Sequence, residues 1–141
     1  MHAAPLLASE IERRLRESTQ LRLADHEALL ALAASKAPMR MTELAEQLAM
    51  TRGGITKVVD RLEHLGYVQR QADATDRRSL IVSSTQTGRA AQEQSTPIVD
   101  EAIAELWGTH LSTEEAKLLV GIMTRIMTSN PGWTHTTSRP T

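Results

Sequence analysis

Two short runs of this chain carry residues whose types and spacing suit one kind of chemistry. Thr51-Arg52-Gly53-Gly54-Ile55-Thr56-Lys57 places cations, hydroxyls and two glycines at the start of a helical pattern. Some twenty residues on, Asp76-Arg77-Arg78 lies between two β-prone runs. Arginine can bond a guanine edge bidentately or hold a phosphate, and threonine can meet a thymine methyl or share a hydrogen bond. Adjacent glycines permit close backbone approach at a cost of roughly 1 kcal/mol each in helix stability. An arginine on a hairpin tip can enter a narrow minor groove, where the negative potential is enhanced. An aspartate two residues before it is placed to orient an arginine by a bidentate pair. The chemistry is recognition of a nucleic-acid duplex. Arg52 and Thr56 are expected to face bases, Lys57, Arg61 and Arg77 to hold phosphates, and Arg78, oriented by Asp76, to enter the minor groove.

Such residues need elements to position them. Ile55, Val58, Val59, Leu62 and Leu65 recur at helical spacing, so Thr51–Leu65 reads as an amphipathic helix with Arg52, Gly53, Thr56, Lys57, Asp60 and Arg61 outward. Thr51 is its expected N-cap and Gly66 its C′ residue. Met41–Leu48 is a shorter helix, with Thr42 as its expected cap, and Ala49-Met50-Thr51 is the turn between the two. Residues 67–71 and 79–83 read as strands around a polar loop. Helix–turn–helix followed by a basic hairpin fits DNA, with a helix for the major groove and a hairpin beside it.

The flanks read as helices. Leu7, Ile11 and Leu15 make one narrow stripe before a second helix over Asp25–Ala34. Thr85 or Thr87 is expected to cap a helix from about Gly88 to Trp107, with Pro97 inside it as a kink. Ser112-Thr113-Glu114-Glu115 is a capping box for a last helix over 113–128. The stripes on the outer helices are too thin for a free-standing core, and burying them against a second copy is expected to make a homodimer.

Bulk composition bounds the rest. There is no cysteine, so disulfides and thiolate metal sites are excluded. His2, His26, His64, His110 and His135 never pair at helical spacing, so no metal or other cofactor is expected. No glycine-rich phosphate loop follows a strand and no nucleophile elbow occurs, so the chain is not expected to be an enzyme. No apolar run is long enough for a membrane span, and the N-terminus lacks a basic-then-apolar export pattern, so a cytoplasmic protein is expected. Net charge is −1, yet residues 40–89 hold eight Lys/Arg against six Asp/Glu. Affinity for phosphates follows local placement of charge.

The run LAEQLAMTRGGITKVVDRLEHLGYVQRQADATDRRSLIVSSTQTGR resembles the MarR-type winged helix regulators. The resemblance rests on Leu44-Ala45, Val59-Asp60-Arg61-Leu62-Glu63, Gly66, Asp76-Arg77-Arg78, Thr85 and Gly88, and extends over about residues 10–128. It implies a mainly α fold with a small β-hairpin wing: an N-terminal dimerisation helix (1–24), a winged helix-turn-helix (25–90), C-terminal dimerisation helices (91–129) and a mobile tail (130–141). It implies a homodimeric, ligand-responsive repressor on a palindromic operator in double-stranded DNA, released by a small aromatic effector. His26 and Trp107 are candidate effector contacts between the two halves, with packing as their alternative role. The chain departs from the family in its short first helix, in Ser84 where leucine is usual, and in Gly53 where serine is common. A winged helix used as a protein-interaction module is the alternative function, favoured by the near-neutral charge.

Overall fold

A computed structural model describes residues 3–108, 110–115, 118, 119, 121 and 122, with side chains from residue 6 onward except that of Trp107. The elements are α1 (Ala3–Ser18), α2 (Leu23–Ala34), β1 (Met39–Arg40), α3 (Met41–Gln47), α4 (Arg52–His64), β2 (Val68–Ala72), β3 (Leu80–Ser84) and α5 (Gln86–Gly108). The strands form one antiparallel sheet in the order β1-β3-β2. Val68 faces Ser84 and Ala72 faces Leu80 across the hairpin, while Met39 faces Val82 on the other edge.

Sequence explains most of these boundaries. In α4 the apolar spacing buries Ile55, Val58, Val59 and Leu62, as a helix with one core-facing stripe must. The Thr51 hydroxyl accepts from the Gly54 N–H at 3.0 Å, satisfying one orphan donor at the helix start. At the far end Gly66 adopts a left-handed φ of 75°. Its N–H reaches the Glu63 carbonyl and that of Tyr67 reaches Leu62, the paired bonds of a Schellman stop.

Three expected details differ. Thr42 does not cap α3; Arg40 is the N-cap residue, and its backbone N–H is satisfied by the Glu43 carboxylate at 3.0 Å. The second helix begins at Leu23, ahead of Asp25, which serves as its third helical residue and accepts from the Arg22 N–H at 2.9 Å. Both helices therefore open on a carboxylate reaching back to the cap backbone, a device that favours negative charge in the first turn. The two-residue strand β1 was not expected, since so short a run shows no alternation.

Among the described residues two clusters of buried side chains result. The larger joins α2, α3, α4 and the sheet through Leu21, Leu29, Leu44, Ile55, Val59, Leu62, Val68 and Val82. The smaller joins α1 to α5 through Ile11, Leu15, Val99 and Ala102, with Arg14 bridging Glu10 and Glu105 beside it. Helix α5 runs through Pro97. Ahead of the proline, the Ser95 and Thr96 hydroxyls both donate to the Gln92 carbonyl. The Ser112–Glu115 capping box forms with both bonds; most of the helix expected after it lies outside the described residues. Among the described residues no helix is long and apolar enough to cross a membrane.

Gly88 is fixed by close approach. A Cβ there would lie 1.9 Å from the Tyr67 carbonyl oxygen, which already accepts the Thr85 N–H. Thr85 caps α5 by accepting from the Gly88 N–H at 3.0 Å. The Thr85 and Thr87 hydroxyls also donate to the Gly66 carbonyl, at 2.7 and 3.0 Å. The start of α5 is thereby tied to the end of α4.

Candidate nucleic-acid interface

Helix α4 follows α3 through the turn at residues 48–51, and the β2–β3 hairpin stands beside it as a wing. Between the start of α4 and the wing lies an open groove of about 400 Å³, lined by Arg40, Thr42, Arg52, Thr56, Arg70 and Arg78 among others. No carboxylate lines it. Four arginines at one groove make a site for an anion, and the groove is wide enough to admit one from solvent.

The cations divide by how they are held. Arg70 on β2 is paired with Asp60 at 2.7 Å and Glu63 at 2.6 Å, so it neutralises the acids on the outer face of α4 and fastens the hairpin to that helix. Arg40 donates to Asp73 at 2.9 Å. Asp73 also accepts from the Thr75 N–H and hydroxyl at 3.0 and 2.8 Å. These bonds from Thr75, with Arg40 assisting, hold the Asp73 carboxyl below its ordinary pKa. Arg52, Lys57, Arg77 and Arg78 are exposed and enter no ion pair among the described residues. Their charge is therefore open to an incoming phosphate.

Arg61 corrects the sequence reading. It is turned inward and paired through Nε and Nη2 with Asp25, whose side chain is fully buried. The pair joins α4 to α2, so Arg61 positions the helix and is not a free outward cation. Asp76 also acts differently from the expected bidentate pair. Its carboxylate accepts from the Arg78 backbone N–H at 3.1 Å and from the Ser79 hydroxyl at 3.0 Å. It thus sets the turn from which the Arg78 side chain leaves, as aspartates at turn starts do.

Within α4 the Thr56 hydroxyl donates to the Arg52 carbonyl at 2.7 Å, leaving its oxygen lone pairs and methyl outward. Gly53 is exposed and a Cβ on it would meet nothing within 4 Å. Thr51, Arg52, Gly53, Thr56 and Lys57 thus share the first turns of one helix. Arg77 and Arg78 stand at the wing tip, and Arg52 and Arg78 reach the same groove. Arg40, Thr42 and Arg70 belong to this groove; from sequence Thr42 was expected only as a helix cap, and neither arginine was singled out. The signal for Arg70 was its place in β2, seven residues beyond Glu63.

His26 lies elsewhere. It is buried, with Nδ1 2.8 Å from the Ser95 Oγ, and ties α2 to α5. Burial pushes its imidazole pKa down, against a smaller opposing effect of the Asp100 charge. The buried contact of His26 with Ser95 supports a packing role. The Trp107 side chain lies outside the described residues. Among those residues no group of three or more histidines and carboxylates could hold a metal ion.

Comparison with known proteins agrees with this architecture. Residues 19–79 match the MarR family. An HTH-type transcriptional regulator of Bacillus cereus is 34% identical over 89 residues, covering 63% of this chain and 58% of the relative. The chain thus spans little more than half the length of that relative. Among solved structures, a MarR family transcriptional regulator from Streptomyces coelicolor, crystallised in complex with DNA, superposes with a TM-score of 0.83 at 27% identity, covering 95% of this chain and 84% of the other. The transcriptional regulator BldR from Sulfolobus solfataricus superposes with a TM-score of 0.72 at 30% identity, with 84% of each chain covered.

Proposed function

The chain belongs to the MarR family, and from that premise we propose that it is a sequence-specific, DNA-binding transcriptional regulator. The observation that carries the reading is the uncommitted set Arg52, Lys57, Arg77 and Arg78 on the first turns of α4 and the wing tip, with Arg52 and Arg78 lining one groove, while the neighbouring Arg40, Arg61 and Arg70 are committed to carboxylates. In this reading Arg52 and Thr56 face base edges, with Gly53 admitting close approach. Thr51 holds the helix start. Lys57 and Arg77 hold phosphates, and Arg78, set by Asp76, enters the minor groove.

The working form is a homodimer on a palindromic operator, acting as a ligand-responsive repressor. Leu6 (68% exposed), Ile103, Leu106, Leu118 and Ile122 leave apolar surface uncovered on α1, α5 and the segment after the capping box, which a second copy would bury. Residues 1–24 and 91–129 would then serve dimerisation and 25–90 DNA binding. Pro97 would be the bend through which an effector changes the spacing of the recognition helices.

Fluorescence anisotropy on a duplex from the chain's own upstream region, against a scrambled duplex at two salt concentrations, tests this. Specific binding that weakens steeply with salt is expected. Arg52→Ala should relax preference at one base position. Lys57→Ala should weaken all sequences alike and lower the salt slope by about one. A well-folded protein with no salt-dependent binding would leave the protein-interaction module in its place.

A further inference from the structure

A second cavity, of about 260 Å³, is lined by Leu32, Ala33, Lys36, Ala37, Pro38, Ser83, Ser84 and Arg89. Its residues come from three places: the end of α2 with the loop after it, the last residues of β3, and the first turn of α5. The strand β3 separates it from the DNA-facing groove. Leu80 at one end of β3 lines the groove, and Ser83 and Ser84 at the other end line this cavity. At about 3.3 Å per residue, the two lie roughly 10–13 Å apart along the strand.

Its chemistry is one-sided. Lys36 and Arg89 are its charged residues and no carboxylate lines it. Neither cation enters an ion pair among the described residues. Arg89 is held in place from within: one Nη donates to the Ser84 carbonyl at 3.2 Å, which leaves its other donors for a ligand. Lys36 occupies a left-handed φ of 51°, in a turn braced by the Ser35 hydroxyl on the Ala37 carbonyl. The Ser83 hydroxyl adds a donor, while that of Ser84 donates to the Thr85 carbonyl at 3.3 Å. Leu32, Ala33, Ala37 and Pro38 supply an apolar wall. Arginine and lysine with one serine donor beside an apolar wall fit a carboxylate on a small apolar body. The volume falls just below the ~300–1,000 Å³ of drug-sized sites, which confines the ligand to a small acid.

We infer that this cavity, formed by the end of α2, the base of the hairpin and the start of α5, binds a small organic carboxylate through Lys36 and Arg89. A ligand there would bridge β3 and α5 while leaving the groove of Arg52 and Arg78 open.

The test uses the full chain without DNA, so its failure is separate from failure of the regulator reading. Cyclohexanecarboxylate and the neutral cyclohexanecarboxamide are titrated while amide resonances are followed by NMR. Saturable shifts centred on Lys36, Ser83, Ser84 and Arg89, with the acid binding at least tenfold tighter than the amide, are expected. Lys36→Gln and Arg89→Gln should each remove most of that preference. Lys36→Gln leaves the Arg89–Ser84 bond in place, so a folding defect in one variant does not decide the matter. Equal binding of acid and amide, shifts centred elsewhere, or no saturation would overturn the assignment. So would variants that keep full preference for the acid.

Discussion

Exchanging Arg61 for leucine should be the most damaging single change in the recognition helix, for a reason unrelated to DNA. Asp25 is fully buried, and Arg61 Nε lies 2.9 Å from both of its carboxylate oxygens. Removing the arginine leaves a carboxylate in the core with the Arg22 N–H as its remaining bond. Breaking a buried pair this way costs about 3–5 kcal/mol, a large part of a small domain's stability. The reverse change is milder. In Asp25→Leu the Arg61 side chain, already 26% exposed, can turn its head to water along its apolar stem. We expect a loss of about 1–3 kcal/mol there, mainly from the unpaired Arg22 N–H. The double variant Asp25→Leu/Arg61→Leu replaces the pair by apolar volume, which is often neutral or stabilising. It should recover to within about 2 kcal/mol of the parent. Urea unfolding followed by far-UV circular dichroism, at one protein concentration and with unchanged m, measures all three. The folded double variant should also keep DNA affinity and salt slope. Should it be as unstable as Arg61→Leu alone, or lose about one unit of salt slope, the structural role assigned to Arg61 is wrong.

Other expectations follow from single contacts. Gly88→Ala should destabilise by at least the roughly 1–3 kcal/mol of core overpacking, because its Cβ meets the Tyr67 carbonyl oxygen at 1.9 Å; a thermal midpoint equal to the parent's would contradict that geometry. Gly53→Ala meets no atom and should gain up to about 1 kcal/mol of helix stability while weakening DNA binding, and unchanged affinity by anisotropy would remove close approach as the reason for this glycine. Burial lowers the folded pKa of His26, so between that value and the unfolded ~6.5 the unfolded chain holds more protons. Stability should be full above about pH 6.5 and decline as pH falls below it, and His26→Gln should flatten the profile of urea midpoints in that range.

What could be read from sequence, and what could not, divides along the distance over which each signal acts. The helix α4 was legible because its evidence is local: four core positions at 3.6-residue spacing, a threonine before them and a glycine after. The turn at Asp76 was legible as a feature but not in its bonding, since the carboxylate's partner is a backbone N–H and not a guanidinium. Arg61 was misread because periodicity alone put it outward, while its partner lies 36 residues earlier on another helix. Arg70 was passed over for the same reason: its pairing with Asp60 and Glu63 exists only once β2 folds back along α4. Thr42 was a good cap by type, yet Glu43 satisfies the Arg40 backbone from inside the helix. Composition ranks candidates, and only tertiary placement decides which cation is spent on the protein itself.

That division bears on how the groove can be controlled. Helix α4 is fixed on three sides: Asp25 holds Arg61 from α2, Arg70 holds Asp60 and Glu63 from β2, and the hydroxyls of Thr85 and Thr87 hold the Gly66 carbonyl. The last of these is made by the residues that begin α5. The same helix is tied to α2 by Ser95 and His26 and to α1 by Glu105 and Arg14. A displacement of α5 therefore cannot leave α4 untouched unless the bonds to Gly66 break, because Gly88 sits against Tyr67 with no room for slippage. Packed elements without free volume shift between discrete arrangements and do not yield gradually. A ligand needs only to bind one such arrangement better than the other to change the population that can engage DNA. In this fold the bonds to the Gly66 carbonyl and the approach of Gly88 to Tyr67 are what join the start of α5 to the end of α4.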